Sequence, residues 1–291
     1  MVHRTMKHIV GFSGGIDSQA TVRWVRNRFG DANTVVLFSD AGGNENQATY
    51  RFVAQYSENI FPVTRIQPIV ADMAGRNPGK IAELGLRPED ALSFDTMARI
   101  KGMFPKTHIR FCTTHLKLEP QKRWTNDNRK TVLAGGFERY IGVRRDESDG
   151  RAHVDFREYD DVFMCWLNRP LADWTKEMCF SFVKAHGETW NPLYDLGFAR
   201  VGCAPCINAG KEDIRLWASR DPRMIDKIRK WEREVGYTFY ASGKVPGMEI
   251  NWIDDVVEWA KTKRGGRQYE LPLLEADVQS GMCMNKYGFC E

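Results

Sequence analysis

The chain has 291 residues, 42% of them hydrophobic and 27% charged, and a formal net charge of +4. That is enough chain to bury a sizeable core, in one large domain or a main domain with an appendage, and it is too apolar for disorder to be the default. No apolar stretch approaches the length of a bilayer span and the N-terminus lacks the apolar segment of a signal peptide, so the expectation is a cytoplasmic protein without a membrane partner.

In chain order, Ile9-Val10 reads as a first strand. It feeds Gly11-Phe12-Ser13-Gly14-Gly15-Ile16-Asp17-Ser18, and Val22, Val25 and Phe29 then recur with helical spacing up to Gly30. A strand, a glycine turn and a helix in succession aim free backbone N–H groups at one point, where the helix dipole adds positive potential. Such a point suits an oxyanion. Gly14 and Gly15 allow a close backbone approach, and the Ser13 and Ser18 hydroxyls can add hydrogen bonds to phosphate oxygens. The loop has neither the Gly-Lys-Ser/Thr of a Walker motif nor the Gly-x-Gly-x-x-Gly of a dinucleotide site. Ser-Gly-Gly-Ile-Asp-Ser resembles the PP-loop of the ATP pyrophosphatases, which holds the pyrophosphate of ATP while the α-phosphate is transferred.

Thr34 to Ser39 is an apolar run that reads as a buried parallel strand, with Asp40 at its C-terminal end, the edge of an open α/β sheet where ligands bind. Ala48, Phe52 and Tyr56 give a second helix its buried face, and a third strand is expected from Val63 to Ile69. Residues 71–105 mix Gly, Pro and Arg with short apolar patches and read as loops plus a helix over Ala91 to Gly102, a lid or substrate-facing insertion. A helix is expected from Thr114 to Asn126 and a strand over Thr131 to Gly135. The alternation predicts a doubly wound parallel sheet of the α/β class. Arg144 and Arg145 then follow Gly142 on a loop at the ligand edge, where they can clamp an anion by bidentate hydrogen bonds instead of forming a surface ion-pair cluster with Asp146 and Glu147. Val154 to Phe163 reads as a hairpin arm, and a helix begins near Pro170 with Asp173 or Thr175 as its cap. Pro222 to Val235 and Asp254 to Lys261 read as further helices, and the last twenty residues as irregular. This divides the chain into an α/β nucleotide domain, 1–200, and a smaller helical, cysteine-containing region, 201–291.

Seven cysteines in a chain expected in the cytoplasm point to metal, cluster or reactive-thiol roles. Cys203-Ala-Pro-Cys206 is a Cys-x-x-Cys knuckle, and Cys283 and Cys290 form a second, looser pair. Four thiolates suit either zinc or an iron–sulfur cluster. Cys165 and Cys179 lie among apolar residues as core thiols. Cys112 stands beside Arg110, His115 and Lys117, groups able to lower its pKa, and reads as a reactive thiol, a cluster ligand or a packed side chain. The basic runs Lys227 to Arg233 and Lys261 to Arg267 read as solvated faces and linkers, so a polyanionic partner is permitted and not required.

Taken with Phe38-Ser-Asp40, Arg110-Phe-Cys-Thr, Leu116-Lys117, Gly142 to Ser148, Asn191-Pro-Leu-Tyr and Arg200 to Cys206, the first loop gives a chain that resembles the phosphoadenosine phosphosulfate (PAPS) reductase family from about residue 7 to 210. The resemblance implies an adenine nucleotide alpha hydrolase-like fold. It implies that Ser13, Gly14, Gly15, Asp17 and Ser18 hold nucleotide phosphates, that Asp40 lies near the adenosine, and that Arg144 and Arg145 lie near substrate. Two departures stand out. The chain ends Tyr287-Gly-Phe-Cys-Glu291, without the Glu-Cys-Gly-x-His segment whose cysteine attacks sulfur in the reductases, and Cys112 has no adjacent cysteine. The intact loop looks more like members that cleave ATP to AMP and pyrophosphate, some of which modify DNA and carry an iron–sulfur cluster.

The function expected is therefore an ATP pyrophosphatase that takes ATP with Mg²⁺ and adenylylates an acceptor, with Asp17, Cys112, Arg144 and Arg145 as catalytic candidates. Sulfur or another nucleophile would then displace AMP. The cofactor expected beside ATP and Mg²⁺ is a [4Fe–4S] cluster, or alternatively structural Zn²⁺, on Cys203, Cys206, Cys283 and Cys290. DNA, tRNA or a small molecule would serve as acceptor, and a sulfur-donor protein or a second copy of the chain as partners. The rival readings are a thiol-dependent PAPS reductase, which consumes no ATP, and a non-catalytic nucleotide- or DNA-binding subunit.

Overall fold

A computed structural model describes residues 5–73 and 75–262. Its centre is a six-stranded sheet in the order β3-β2-β1-β4-β6-β5, formed by β1 (Lys7–Gly11), β2 (Thr34–Ser39), β3 (Val63–Ile66), β4 (Phe137–Tyr140), β5 (Arg157–Asp160) and β6 (Cys165–Asn168). All neighbours pair in parallel except β5, which runs antiparallel to β6 and makes the expected hairpin arm. The order reverses between β1 and β4, which makes their C-terminal ends the switch point where open α/β sheets bind ligands.

The central strands are apolar because helices cover both their faces. Val10, Phe12, Val36 and Phe38 pack with Val22 and Val25 of α1 (Ile16–Phe29) and Phe52 and Tyr56 of α2 (Gln47–Asn59). Ile9, Leu37 and Ile66 form the opposite layer with Leu133. Asn46 caps α2 by accepting the Ala48 N–H at 2.8 Å.

Of residues 71–105, expected as a lid or substrate-facing insertion, the part from Leu92 to Phe104 supplies core side chains, while 75–91 lies largely at the surface. The short α3 (Pro78–Glu83) and α4 (Phe94–Lys101) belong to this stretch. Met73, Leu92, Phe94, Met97, Ile100 and Phe104 are buried in one apolar cluster with Trp217, Ile225, Ile228, Trp231 and Val256. Those last residues come from α8 (Lys211–Arg220), α9 (Pro222–Val235) and α10 (Ile253–Lys261), and α8 had no counterpart in the sequence reading. The scattered apolar patches, which looked loop-like in isolation, bury their faces against helices more than a hundred residues away.

Thr131 to Gly135 is a series of turns and not a strand, and the strand lies just beyond it at β4. Its one deeply buried side chain, Leu133, plugs the lower layer of the core, which explains the apolar look of the run without a ladder. The helix expected over Thr114 to Asn126 is longer, continuing from α5 (Phe111–Thr113) through a π-turn at Thr114–Leu118 into α6 (Glu119–Asn128). After the hairpin, α7 (Lys176–Ala185) packs Cys179 and Val183 on Ile16 and Ala20 of α1. Thr175 is its cap, accepting the Met178 N–H at 3.3 Å. Asp173 pairs with Arg145 instead.

Candidate functional site

The loop from Gly11 to Ser18 joins β1 to α1 at the switch point. Ser18 Oγ lies at its centre: it accepts the Ser13 N–H at 3.1 Å, donates to the Gly15 carbonyl at 2.9 Å and meets Ser13 Oγ at 3.0 Å. Gly15, at the N-cap of α1, has no side chain to cap the first turn; the Ile16 N–H donates instead to the Tyr194 hydroxyl at 3.0 Å and the Gly15 N–H to Ser13 Oγ at 3.2 Å. Gly14 has φ +83° and a missing Cβ that would meet Thr49 at 3.1 Å, so glycine is required both by conformation and by space. Gly142, after β4, is packed against the same turn, since a Cβ there would stand 2.5 Å from the Asp17 carbonyl carbon.

A cavity of about 380 Å³ opens beside the loop, lined by Gly11 to Ser13, the end of β2 at Leu37 to Ser39, Gly142, and then Glu45, Lys117 and Gln121. Of the residues expected to hold phosphate, Ser13 lines this cavity, while Ser18 braces Ser13 from behind. Asp17 points to Arg144, with Oδ1 and Nε 2.9 Å apart and both side chains buried. Burial alone would lower the Arg144 pKa, but Asp17 and Asp146 outweigh it and hold the guanidinium protonated.

Arg144 and Arg145 do not act as one clamp. Arg145 points the other way, donating to the Val154 carbonyl at 3.0 and 2.8 Å, pairing with Asp173 and stacking on Phe156. Asp40 is buried at the end of β2 and accepts hydrogen bonds from Tyr50 (2.7 Å), the Gly43 amide (3.0 Å) and Arg65 Nε (3.0 Å). Burial pushes its pKa up, yet these three donors win and keep it below the ordinary carboxylate value. Asp40 thereby anchors Arg65 and the loop after β2 at the rim.

Cys112 is not poised as a low-pKa thiol. Burial, reinforced by Cys206, pushes it up to about 11, and the cation closest in effect, Lys117, does not reverse that. What the structure does is bring Cys112 to the Cys203/Cys206 knuckle: all three border one cavity of about 450 Å³ together with Lys117. The knuckle is tied to the loop after β2 by the Ala204 N–H on the Asn44 carbonyl at 2.9 Å and by Asn44 Nδ2 on the Pro205 carbonyl at 2.8 Å. Cys203 Sγ donates to Glu45 Oε1 at 3.6 Å, and Lys117 Nζ lies 3.7 Å from the same oxygen. Glu45 is 5% exposed and its pKa is raised by burial, with Lys117 offsetting part of that. Glu45 and Lys117 thus stand between the cavity beside the loop and the thiols. Sequence reasoning missed Glu45, whose neighbours in the chain carry no motif.

The expected metal set is only half within view, because Cys283 and Cys290 lie outside the described residues. Among the described residues no group of three or more His, Cys, Asp or Glu side chains is arranged to hold a metal ion. The knuckle sulfurs are engaged by Glu45, Arg200 and the Asn208 amide. Cys165 and Cys179 are buried core thiols, as their apolar surroundings predicted.

Comparison with known proteins gives this geometry a context. The chain is 31% identical to the uncharacterised 37.8 kDa protein in the gpa 5′ region of Escherichia phage 186, over 98% of this chain and 96% of that one. It is 36% identical to the adenosine 5′-phosphosulfate reductase of Allochromatium vinosum, over 47% of this chain and 51% of the reductase. It is 32% identical to the reductase of that name from Geobacillus thermodenitrificans, over 39% and 56%. The chain therefore spans about half the length of these reductases. Among solved structures it is similar to a phosphoadenylyl-sulfate reductase from Candida auris, at 14% identity and TM-score 0.45, covering 68% of this chain and 82% of that one. A family model described as the phosphoadenosine phosphosulfate reductase domain matches residues 7–209, the stretch that runs from β1 through the cysteine knuckle. On that match, the chain belongs to the phosphoadenosine phosphosulfate reductase domain family.

Proposed function

We propose that the chain is an adenine-nucleotide enzyme that cleaves ATP between the α- and β-phosphates and adenylylates an acceptor. The observation that carries this reading is the serine-braced loop at the N-terminus of α1, opening on the cavity at the switch point. In this reading ATP enters as its Mg²⁺ complex, and Ser13, Ser18 and the first-turn amides of α1 take the departing pyrophosphate. Arg144, held against Asp17, fixes the loop after β4 over the α-phosphate. An acceptor oxygen attacks the α-phosphorus in line, the bond to pyrophosphate breaks, and the acceptor carries away AMP as a leaving group for a later nucleophile. Asp17 is buried in an ion pair, so its part is to position Arg144 and the loop.

A second reading is favoured by a separate observation, the three thiols across Glu45 and Lys117 from the cavity, and by relatives named as adenosine 5′-phosphosulfate reductases. In it a thiolate attacks the sulfur of a sulfonucleotide and releases the nucleotide, with no ATP consumed.

Incubation with α-labelled ATP, Mg²⁺ and candidate acceptors separates the two. Adenylylation gives labelled AMP and stoichiometric pyrophosphate, lost in Ser13→Ala. Sulfite and AMP released from adenosine 5′-phosphosulfate with a dithiol, and no pyrophosphate from ATP, would replace the first reading by the second.

A further inference from the structure

The Ile16 N–H that donates to the Tyr194 hydroxyl at 3.0 Å belongs to the first turn of α1, where an oxyanion on the loop finds its donors. Each amide offers a single hydrogen. A phosphate oxygen at this point and the Tyr194 hydroxyl therefore compete for it. Tyr194 lies 178 residues further along the chain, and the segment that delivers it is fastened to the same helix. Gln19 Nε2 donates to Glu188 Oε2 at 3.0 Å and to the Thr189 carbonyl at 2.8 Å, and Arg23 Nε donates to Glu188 Oε1 at 2.6 Å. Asn191, fully buried, donates from Nδ2 to Thr49 Oγ1 of α2 at 3.2 Å, and both side chains lie beside Gly14 of the loop.

Beyond Asn191 the chain comes to the surface. Asp195, Leu196 and Gly197 are exposed, and the turn is closed by its own backbone, with the Gly197 N–H on the Tyr194 carbonyl at 3.0 Å and the Phe198 N–H on the Leu193 carbonyl at 3.1 Å. The Tyr194 ring meets Phe180 of α7 edge-on, with centroids 5.2 Å apart, and Lys176 Nζ lies 5.0 Å from its centroid. The turn thus has a fixed end at Asn191 and an exposed body that carries Tyr194. Leu193 and Phe198 of the same turn line a cavity of about 470 Å³ that extends to Cys203, so a shift of Tyr194 reaches the side of the molecule that holds the cysteine knuckle.

We propose that Tyr194 regulates the phosphate loop by competition: its hydroxyl holds the Ile16 N–H against anions, and nucleotide phosphate binds there by displacing it, which moves the turn at 192–198 away from α1. This rests on the nucleotide reading, on the part of it that places phosphate at the first turn of α1. The contest is between a neutral acceptor and a charged one. A charge-assisted hydrogen bond is about twice as strong as a neutral one, so phosphate wins the amide, but breaking the tyrosine contact takes back part of the binding free energy. The loop therefore binds anions more weakly with Tyr194 in place than its donors alone would allow, and the turn reports whether phosphate is bound.

The test measures binding of inorganic pyrophosphate and of Mg²⁺–ATP to the full chain by titration calorimetry. Tyr194→Phe keeps the ring and removes only the acceptor, so it should tighten pyrophosphate binding about fivefold, the equivalent of one neutral hydrogen bond, while lowering the melting temperature without ligand. Thr175→Ala removes the cap of α7, the helix behind the ring; it loosens the same region without freeing the amide and should not tighten binding. Hydrogen exchange read by mass spectrometry should be faster over 192–198 in the wild-type chain with pyrophosphate than without it. Unchanged or weaker pyrophosphate binding in Tyr194→Phe, equal tightening in Thr175→Ala, or slower exchange over 192–198 with ligand would each overturn the proposal and leave the nucleotide reading standing. If neither the wild-type chain nor Tyr194→Phe binds pyrophosphate or ATP, the loop is not a phosphate site, and both readings fall together.

Discussion

Arg144 Nε lies 2.9 Å from Asp17 Oδ1, with side-chain exposures of only 6% and 5%, and this pair joins the loop after β4 to the first turn of α1. Two segments more than a hundred residues apart in sequence are thus held at one edge of the sheet by a charge pair shielded from water. Removing one partner leaves the other charge buried and alone. Arg144→Met and Asp17→Asn are each expected to lower stability by about 3–5 kcal/mol, and the double variant by clearly less than their sum. Urea unfolding of the three variants measures this; additive losses would show that the two side chains do not interact.

Gly142 presses on that same turn. A methyl at this position would stand 2.5 Å from backbone atoms that cannot swing aside, so Gly142→Ala should cost about 1–3 kcal/mol and weaken nucleotide binding together with stability. Gly79→Ala is the matched control, since a Cβ there meets nothing within 4 Å. Melting curves with and without Mg²⁺–ATP give both quantities, and an undisturbed Gly142→Ala would mean the loop after β4 does not rest on α1.

Ser13 and Ser18 form the hydroxyl pair of the loop. If they meet phosphate oxygens, loss of a hydrogen bond to a charged group is worth about 1.5–3 kcal/mol, or roughly ten- to hundredfold in affinity for each serine. Titration calorimetry of Ser13→Ala and Ser18→Ala with Mg²⁺–ATP reads this directly. Wild-type affinity in both variants would remove the loop from the nucleotide site.

His8 and His115 are expected to make stability fall in mild acid. Burial lowers both pKa values from 6.5; a coulombic contribution from Glu138 at His8 and a hydrogen bond to the Asp72 carbonyl at His115 offset part of it. A folded-state pKa below the unfolded one means that the unfolded chain binds the extra proton. The stability they contribute is therefore fully present above pH 6.5 and is lost as the pH falls through the folded-state values. Urea midpoints should drop between pH 7.5 and 5.5, and His115→Gln should flatten the slope. A slope unchanged in that variant would assign the effect elsewhere.

Much of the scaffold was legible in the sequence because its signals are local. Gly11 to Ser18 specifies its own turn through glycine conformations and serine hydroxyls a few residues apart, β2 announces itself as an unbroken apolar run, and α9 from Pro222 to Val235 is bounded by its proline and by Gly236. The failures came where a segment borrows its partner from far away. Thr131 to Gly135 looked like a strand because Leu133 is a core residue, yet it has no ladder neighbour. The stretch from Leu92 to Phe104 looked like part of a lid because the helices that cover it lie beyond residue 210.

The site divides the same way. Sequence alone determined that a glycine- and serine-rich turn opens α1, that Asp40 follows the end of β2 and that Cys203 and Cys206 are spaced as a knuckle, since each is a pattern within a few residues. Only the tertiary structure decided that Arg144 turns to Asp17 while Arg145 turns away, that Cys112 joins the knuckle as a half-buried thiol with a raised pKa, and that Glu45 and Lys117 stand between the thiols and the cavity beside the loop. Charge pairing and burial are set by distance through space, and a linear pattern carries no record of which cation will lie within reach of which carboxylate once the sheet has formed.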